Sequence, residues 1–206
     1  MKSVKERYEK WKQRTVWQKG GDIVFWAFLI LLLLPPTRKP IATAVNQLFL
    51  HVRKPSAVHT DMQQILSASD LQFGLSDSQG QLSRLQEYKG EVIFLNFWAT
   101  WCPPCRAEFP GIEELYAAYG SEVRFMLVTQ EDAATVQSFM NEKAYRAPVY
   151  FQQTSLPPAL EVSSIPTTFI ISRDGRIAGK FTGAMDWNSR STRKMLDELL
   201  AQEVLR

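Results

Sequence analysis

Two cysteines, Cys102 and Cys105, hold all the thiol chemistry of this chain, in the run Trp101-Cys102-Pro103-Pro104-Cys105. Two intervening residues let the sulfurs meet without moving the backbone, so the pair can open and close as a disulfide. A zinc site would want four ligands. The two histidines, His51 and His59, lie far from the cysteines in sequence, so no metal is expected. A purely structural disulfide, or a buried thiol pair, is the alternative. What favours redox chemistry is the placement of the pair, where an apolar strand pattern ends and a helix pattern begins.

Residues 91–99 read EVIFLNFWA, a nearly continuous apolar run suited to a strand buried on both faces. Residues 104–119 read as a helix, with Phe109, Ile112, Leu115 and Tyr116 at helical spacing, Pro110 as a kink and Gly120 as the stop. A helix N-terminus favours a thiolate through its free N–H groups and dipole. Cys102 at that cap, partly exposed, is the expected nucleophile. Cys105, one turn in and more buried, is the expected resolving thiol that breaks the mixed disulfide. Pro103 and Pro104 pre-set φ for a helix start but bring no N–H to the sulfur. The Cys102 pKa should therefore be only moderately lowered.

Three more residues carry chemistry. Glu108, three positions after Cys105, shares its helix face. It is either a solvated charge or, if burial raises its pKa, a proton acceptor for the thiol. Asn96 is polar within an apolar strand, a satisfied core amide or a hydrogen bonder behind Cys105. Ile165-Pro166 precedes a strand pattern; the bond is either cis, as in tight turns, or an ordinary trans strand start.

The remaining elements must hold these residues in place. Short strands are predicted at 71–75 and 81–85 around Ser78-Gln79-Gly80, and a buried strand at 123–129. A helix follows at 132–145 with Asp132 as N-cap. A short strand starts at Val149-Tyr150 and a short helix spans 157–162. Strands 167–172 and 176–181 form a hairpin across a two-residue Asp174-Gly175 turn. A closing helix spans 187–204. This order argues an α/β fold, a mixed sheet with helices on both faces.

The N-terminal part differs in character. Residues 1–60 hold 11 Lys and Arg against 3 Asp and Glu, while the rest holds 13 against 18. The basic excess is therefore no argument for nucleic acid binding by the folded part. Residues 23–34, IVFWAFLILLLL, are apolar and follow a lead rich in lysine and arginine. We expect a basic cytoplasmic segment at 1–19, a single transmembrane anchor at 20–36, a proline-interrupted linker at 37–65 and a domain at 66–206 outside the cytoplasm. Cleavage near Ala42-Thr43-Ala44 is the alternative. Arg38, Lys39, Arg53 and Lys54 weigh against this orientation, since they put positive charge on the far side as well.

Taken together, NFWATWCPPCRAEFP at 96–110, SIPTTFIISRDGRI at 164–177 and GAMDW at 183–187 resemble the thioredoxin superfamily. The branch they most resemble is the TlpA/ResA-like thiol-disulfide oxidoreductases, anchored in bacterial envelopes. The resemblance covers residues 66–204 and implies a thioredoxin fold with an N-terminal β-hairpin extension. It implies a cis Pro166 opposite the cysteines, and Trp101, Pro103, Pro104, Ile165 and Pro166 as the surface a client meets. It makes Glu108 the acidic residue of the active site, and puts Asn96 where cytoplasmic thioredoxins carry a buried aspartate. It implies a periplasmic reductant of protein clients, such as those of cytochrome c maturation, re-reduced by a membrane thiol transporter and needing no cofactor beyond its own dithiol. An oxidant or isomerase, and a redox-inactive client-binding module, are the competing readings. A peroxidase would want a lone low-pKa cysteine beside a hydroxyl and an arginine, which this tight pair does not match.

Overall fold

The computed structural model describes residues 64–202 and, further upstream, Phe25 and Trp26, which are helical. Apart from these, the segments expected at 1–19, 20–36 and 37–65 lie outside the described residues. No helix among the described residues is long and apolar enough to cross a membrane.

Seven strands form one sheet: β1 (Gly74–Asp77), β2 (Leu82–Arg84), β3 (Val92–Phe97), β4 (Val123–Thr129), β5 (Val149–Gln152), β6 (Thr167–Ile171) and β7 (Ile177–Thr182). Their spatial order is β2-β1-β5-β4-β3-β6-β7. β3 pairs parallel to β4 and antiparallel to β6, so the sheet is mixed about its centre. β1 pairs antiparallel with both β2 and β5. Among residues 64–202, three α-helices complete the fold: α1 (Pro103–Tyr119), α2 (Ala133–Lys143) and α3 (Arg190–Ala201).

All six residues of β3 are buried, as its apolar run required. Side chains alternate across a strand, so β3 feeds two cores. Val92 and Phe94 pack on one face with Phe109, Ile112 and Leu115 of α1, Val136 of α2, and Leu196 and Leu199 of α3. Ile93, Leu95 and Phe97 pack on the other with Leu75, Leu85, Leu160 and Phe169. That second face is covered by short 3-10 turns at Asp70–Gln72, Leu85–Tyr88 and Pro158–Leu160 rather than by an α-helix. The helix expected at 157–162 shrinks to one such turn after Pro157.

Other expectations shift for local reasons. Leu71 belongs to a 3-10 turn, so β1 begins only at Gly74. Asp132 caps α2 as expected, its Oδ1 accepting from Thr135 N at 2.9 Å. α1 continues past Pro110 to Tyr119, the proline ring facing solvent while Phe109 and Ile112 anchor the inner face. The β6–β7 connection is not a two-residue turn. Gly175 N donates to Ser172 O and Ser172 N donates to Arg176 O, with Gly175 at φ 82°. This is a three-residue loop in which glycine takes the left-handed position, leaving an irregular register at Ile170/Ile171. Trp187 does not open the closing helix. It is fully buried ahead of it, and Ser189 is the cap, its Oγ accepting from Thr192 N at 3.3 Å.

Candidate functional site

β3 ends at Phe97 and the chain crosses to α1 through residues 98–102, carrying the cysteines out of the sheet's C-terminal edge. Cys102 is the N-cap of α1, and Cys102 and Cys105 form a disulfide with a Cα–Cα distance of 5.3 Å. Cys105 N donates to Cys102 Sγ at 3.3 Å. Pro103 and Pro104 occupy the intervening positions and have no N–H to add. One helix amide therefore serves the outer sulfur.

Cys105 is fully buried, but Cys102 is buried too, at 3% exposure rather than partly exposed. The reason is the segment before β6. The Ile165-Pro166 peptide is cis, and Ile165 O lies 3.8 Å from Cys102 Sγ. What the site presents to solvent is Trp101, 70% exposed, together with Pro103. Pro104 and Ile165 are half-buried and Pro166 is buried. Beside the disulfide opens a cleft of about 430 Å³, bordered by Trp101, Ile165, Leu156, Val128 and Glu131.

Behind the cysteines lies a second layer. Asn96 follows Phe94 by two on β3, so it faces α1. Thr168 is its register partner on β6. Glu108 comes down from α1 and is 1% exposed. Asn96 Nδ2 donates to Glu108 Oε1 at 2.9 Å and to Thr168 Oγ1 at 2.8 Å. Trp187 Nε1 and Met185 N donate to Glu108 Oε2 at 2.9 and 3.2 Å. Burial penalises the charged carboxylate and outweighs the hydrogen bonds from Trp187, Asn96 and Met185 that favour it, leaving its pKa raised to about 8. Glu108 is therefore no solvated helix charge. Its proton affinity is matched to that of an ordinary thiol.

Sequence reasoning placed Cys102, Cys105, Glu108, Asn96 and Pro166 in one neighbourhood, and the fold brings them together. It missed the groups that hold them. Trp187 was part of a recognisable motif, but nothing in the string tied its indole to Glu108. Glu131 carried no signal at all. It clamps the redox loop, accepting from Thr100 N at 2.6 Å and from Thr100 Oγ1 at 2.7 Å. The parallel pairing of Phe97 with Val128, extended by Trp98 N donating to Val128 O at 3.0 Å, is what brings the two segments side by side.

Replacing Glu131 with alanine removes both bonds while the strands stay paired. The expected outcome is loss of amide-exchange protection at Thr100 and a stability loss of about 1–2 kcal/mol in urea denaturation. Protection unchanged at Thr100 would show that the loop is held by something else.

The comparisons with known proteins agree with this geometry. The Redoxin family model matches residues 60–200. The thiol-disulfide oxidoreductase ResA of Geobacillus thermodenitrificans is 37% identical over 116 residues, covering 55% of this chain and 67% of its own. ResA of Bacillus subtilis is 35% identical over 134 residues, covering 63% and 75%. Among solved structures, the pneumococcal exposed lipoprotein thioredoxin Etrx1 of Streptococcus pneumoniae superposes with a TM-score of 0.53 at 27% identity, covering 62% of this chain and 98% of its own. A cysteine pair capping a helix, backed by a buried carboxylate, is thus found in a chain that belongs to the Redoxin family and is a thiol-disulfide oxidoreductase of the ResA-like branch.

Proposed function

We propose that this chain reduces disulfides of protein clients outside the cytoplasm, tethered to the membrane by the apolar segment at 20–36. The observation that carries the direction is the sparse stabilisation of Cys102. Strong oxidants of this chemistry owe their potential to a stabilised reduced form. Here one helix amide reaches the outer sulfur and the next two residues are prolines. The reduced form gains little, so the dithiol gives up its electrons readily.

The client lies extended against Ile165 and Pro166, beside Trp101, Pro103 and Pro104, with its disulfide over Cys102. The Cys102 thiolate attacks one client sulfur and forms a mixed disulfide as the client S–S bond breaks. The released client thiolate takes a proton from water. Cys105 passes its proton to Glu108, and the resulting thiolate attacks Cys102 Sγ, expelling the second client thiolate. That thiolate is protonated in turn, and Glu108 returns its proton to solvent as the site reopens. Two electrons and two protons reach the client, and Cys102–Cys105 is left oxidised. A membrane thiol transporter suits the re-reduction, and CxxCH segments of apocytochromes c suit the client role. The dithiol is the redox group.

The test is the reduction potential of the pair in the full-length chain, equilibrated in thiol buffers. We expect a value near or below thioredoxin's, about −270 mV. A value near about −120 mV would reverse the direction and make the chain a source of disulfides.

A further inference from the structure

Every polar group that reaches Glu108 is a donor: Asn96 Nδ2, Trp187 Nε1 and Met185 N. This arrangement suits an ionised carboxylate, which accepts only. A protonated carboxyl has an O–H to place, and these three donors offer it nothing. In the same cluster Asn96 Oδ1 is buried without any partner. An orphaned acceptor in the core is unfavourable, and this one sits on the amide whose other end already touches Glu108. Thr168 Oγ1, which now accepts from Asn96 Nδ2, is a hydroxyl and can donate equally well.

We infer that the Asn96 amide turns over when Glu108 takes up a proton, so that Oδ1 accepts the new carboxyl O–H and the hydroxyl of Thr168. In the ionised state Nδ2 faces Glu108 and Thr168 accepts. In the neutral state Oδ1 faces Glu108 and Thr168 donates. Glu108 and Thr168 then have a matching partner in each state, while the far end of the amide, Oδ1 in one and Nδ2 in the other, stays unpartnered, and the carboxylate can take and return a proton without the helix or sheet moving. Asn96 is a positioning residue: it acts on the thiols through Glu108. An aspartate at this place on β3 would itself hold the proton, whereas an amide only answers to the one on Glu108.

The inference rests on Glu108 exchanging a proton, as the proposed reduction requires. From α1 its neighbour one turn back is Cys105, which does not titrate in the disulfide. From β3 it faces Asn96, and from the segment before α3 it faces Met185 N and Trp187; no charged side chain is among the groups acting on it. The oxidised chain therefore isolates the event.

The experiment uses oxidised full-length chain carrying 15N-asparagine and 13C-glutamate, with Asn96→Leu to assign the amide signals. Glu108's carboxyl signal should titrate near pH 8. Across the same midpoint, the cross-peaks from the Asn96 Nδ2 protons to Glu108 and Thr168 should fade as pH falls and return as it rises. In Glu108→Gln they should be independent of pH. If Glu108 titrates while those cross-peaks persist on both sides, the amide does not turn and this inference fails, with the role of Glu108 intact. If Glu108 does not titrate, both fall.

Discussion

Replacing Cys105 with serine turns the catalyst into a trap. Cys102 still attacks a client disulfide, but no resolving thiol follows, so a mixed disulfide accumulates to one client per chain and turnover stops. Replacing Cys102 with serine gives neither adduct nor turnover, because the remaining sulfur is fully buried beneath the helix cap. A peptide carrying an oxidised CxxCH pair, mass spectrometry without reductant and a turnover assay read both outcomes. An adduct on Cys105 in Cys102→Ser would exchange the two roles. Normal turnover in Cys105→Ser would remove the resolving step altogether.

The second large effect concerns stability against pH. Glu108 has an ordinary carboxyl pKa of 4.5 when unfolded and about 8 when folded, because burial disfavours its charge. Between those values the folded state binds more protons than the unfolded one, so stability falls as pH rises. The contribution is fully present below 4.5 and fully lost above about 8, and amounts to roughly 5 kcal/mol over that window. Denaturant titrations of oxidised wild type and Glu108→Gln at about pH 5, 7 and 9 isolate it, since other groups cancel in the difference. Glu108→Gln should lose most of the downward slope and should be more stable relative to wild type at pH 9 than at pH 5. Parallel curves for the two proteins would mean that the carboxylate is ionised throughout.

Much of this site was legible because its logic is local. A buried strand, a CxxC and a helix opening lie within 97–105, so period and capping chemistry place both cysteines without tertiary knowledge. Asp132 is the same kind of case, a side chain that caps the amides just after it. Glu108 was only half legible: helical spacing put it on the Cys105 face, but its burial depends on Trp187, 79 residues away. Thr168 and Asn96 meet through strand register, and Glu131 meets Thr100 through the parallel pairing of β3 and β4. Such contacts are set by packing, and a string of residues does not display them. Trp187 was misread for the same reason. Its hydrophobicity fits the periodic face of the closing helix, while the polar Ser189 was the true start.

The small hairpin of β1 and β2 has a further consequence, for how the folded chain meets other copies of itself. Without it, β5 would end the sheet with Val149, Tyr150 and Phe151, an apolar template for another chain's backbone. β1 occupies that border, and the outermost strand becomes β2, three residues long and closed by Arg84. At the opposite border Lys180 sits in β7, and Gln64 to Leu66 bond across its start. Short, charged or covered borders resist strand addition. Such borders keep one copy of the folded domain from adding to another along the sheet.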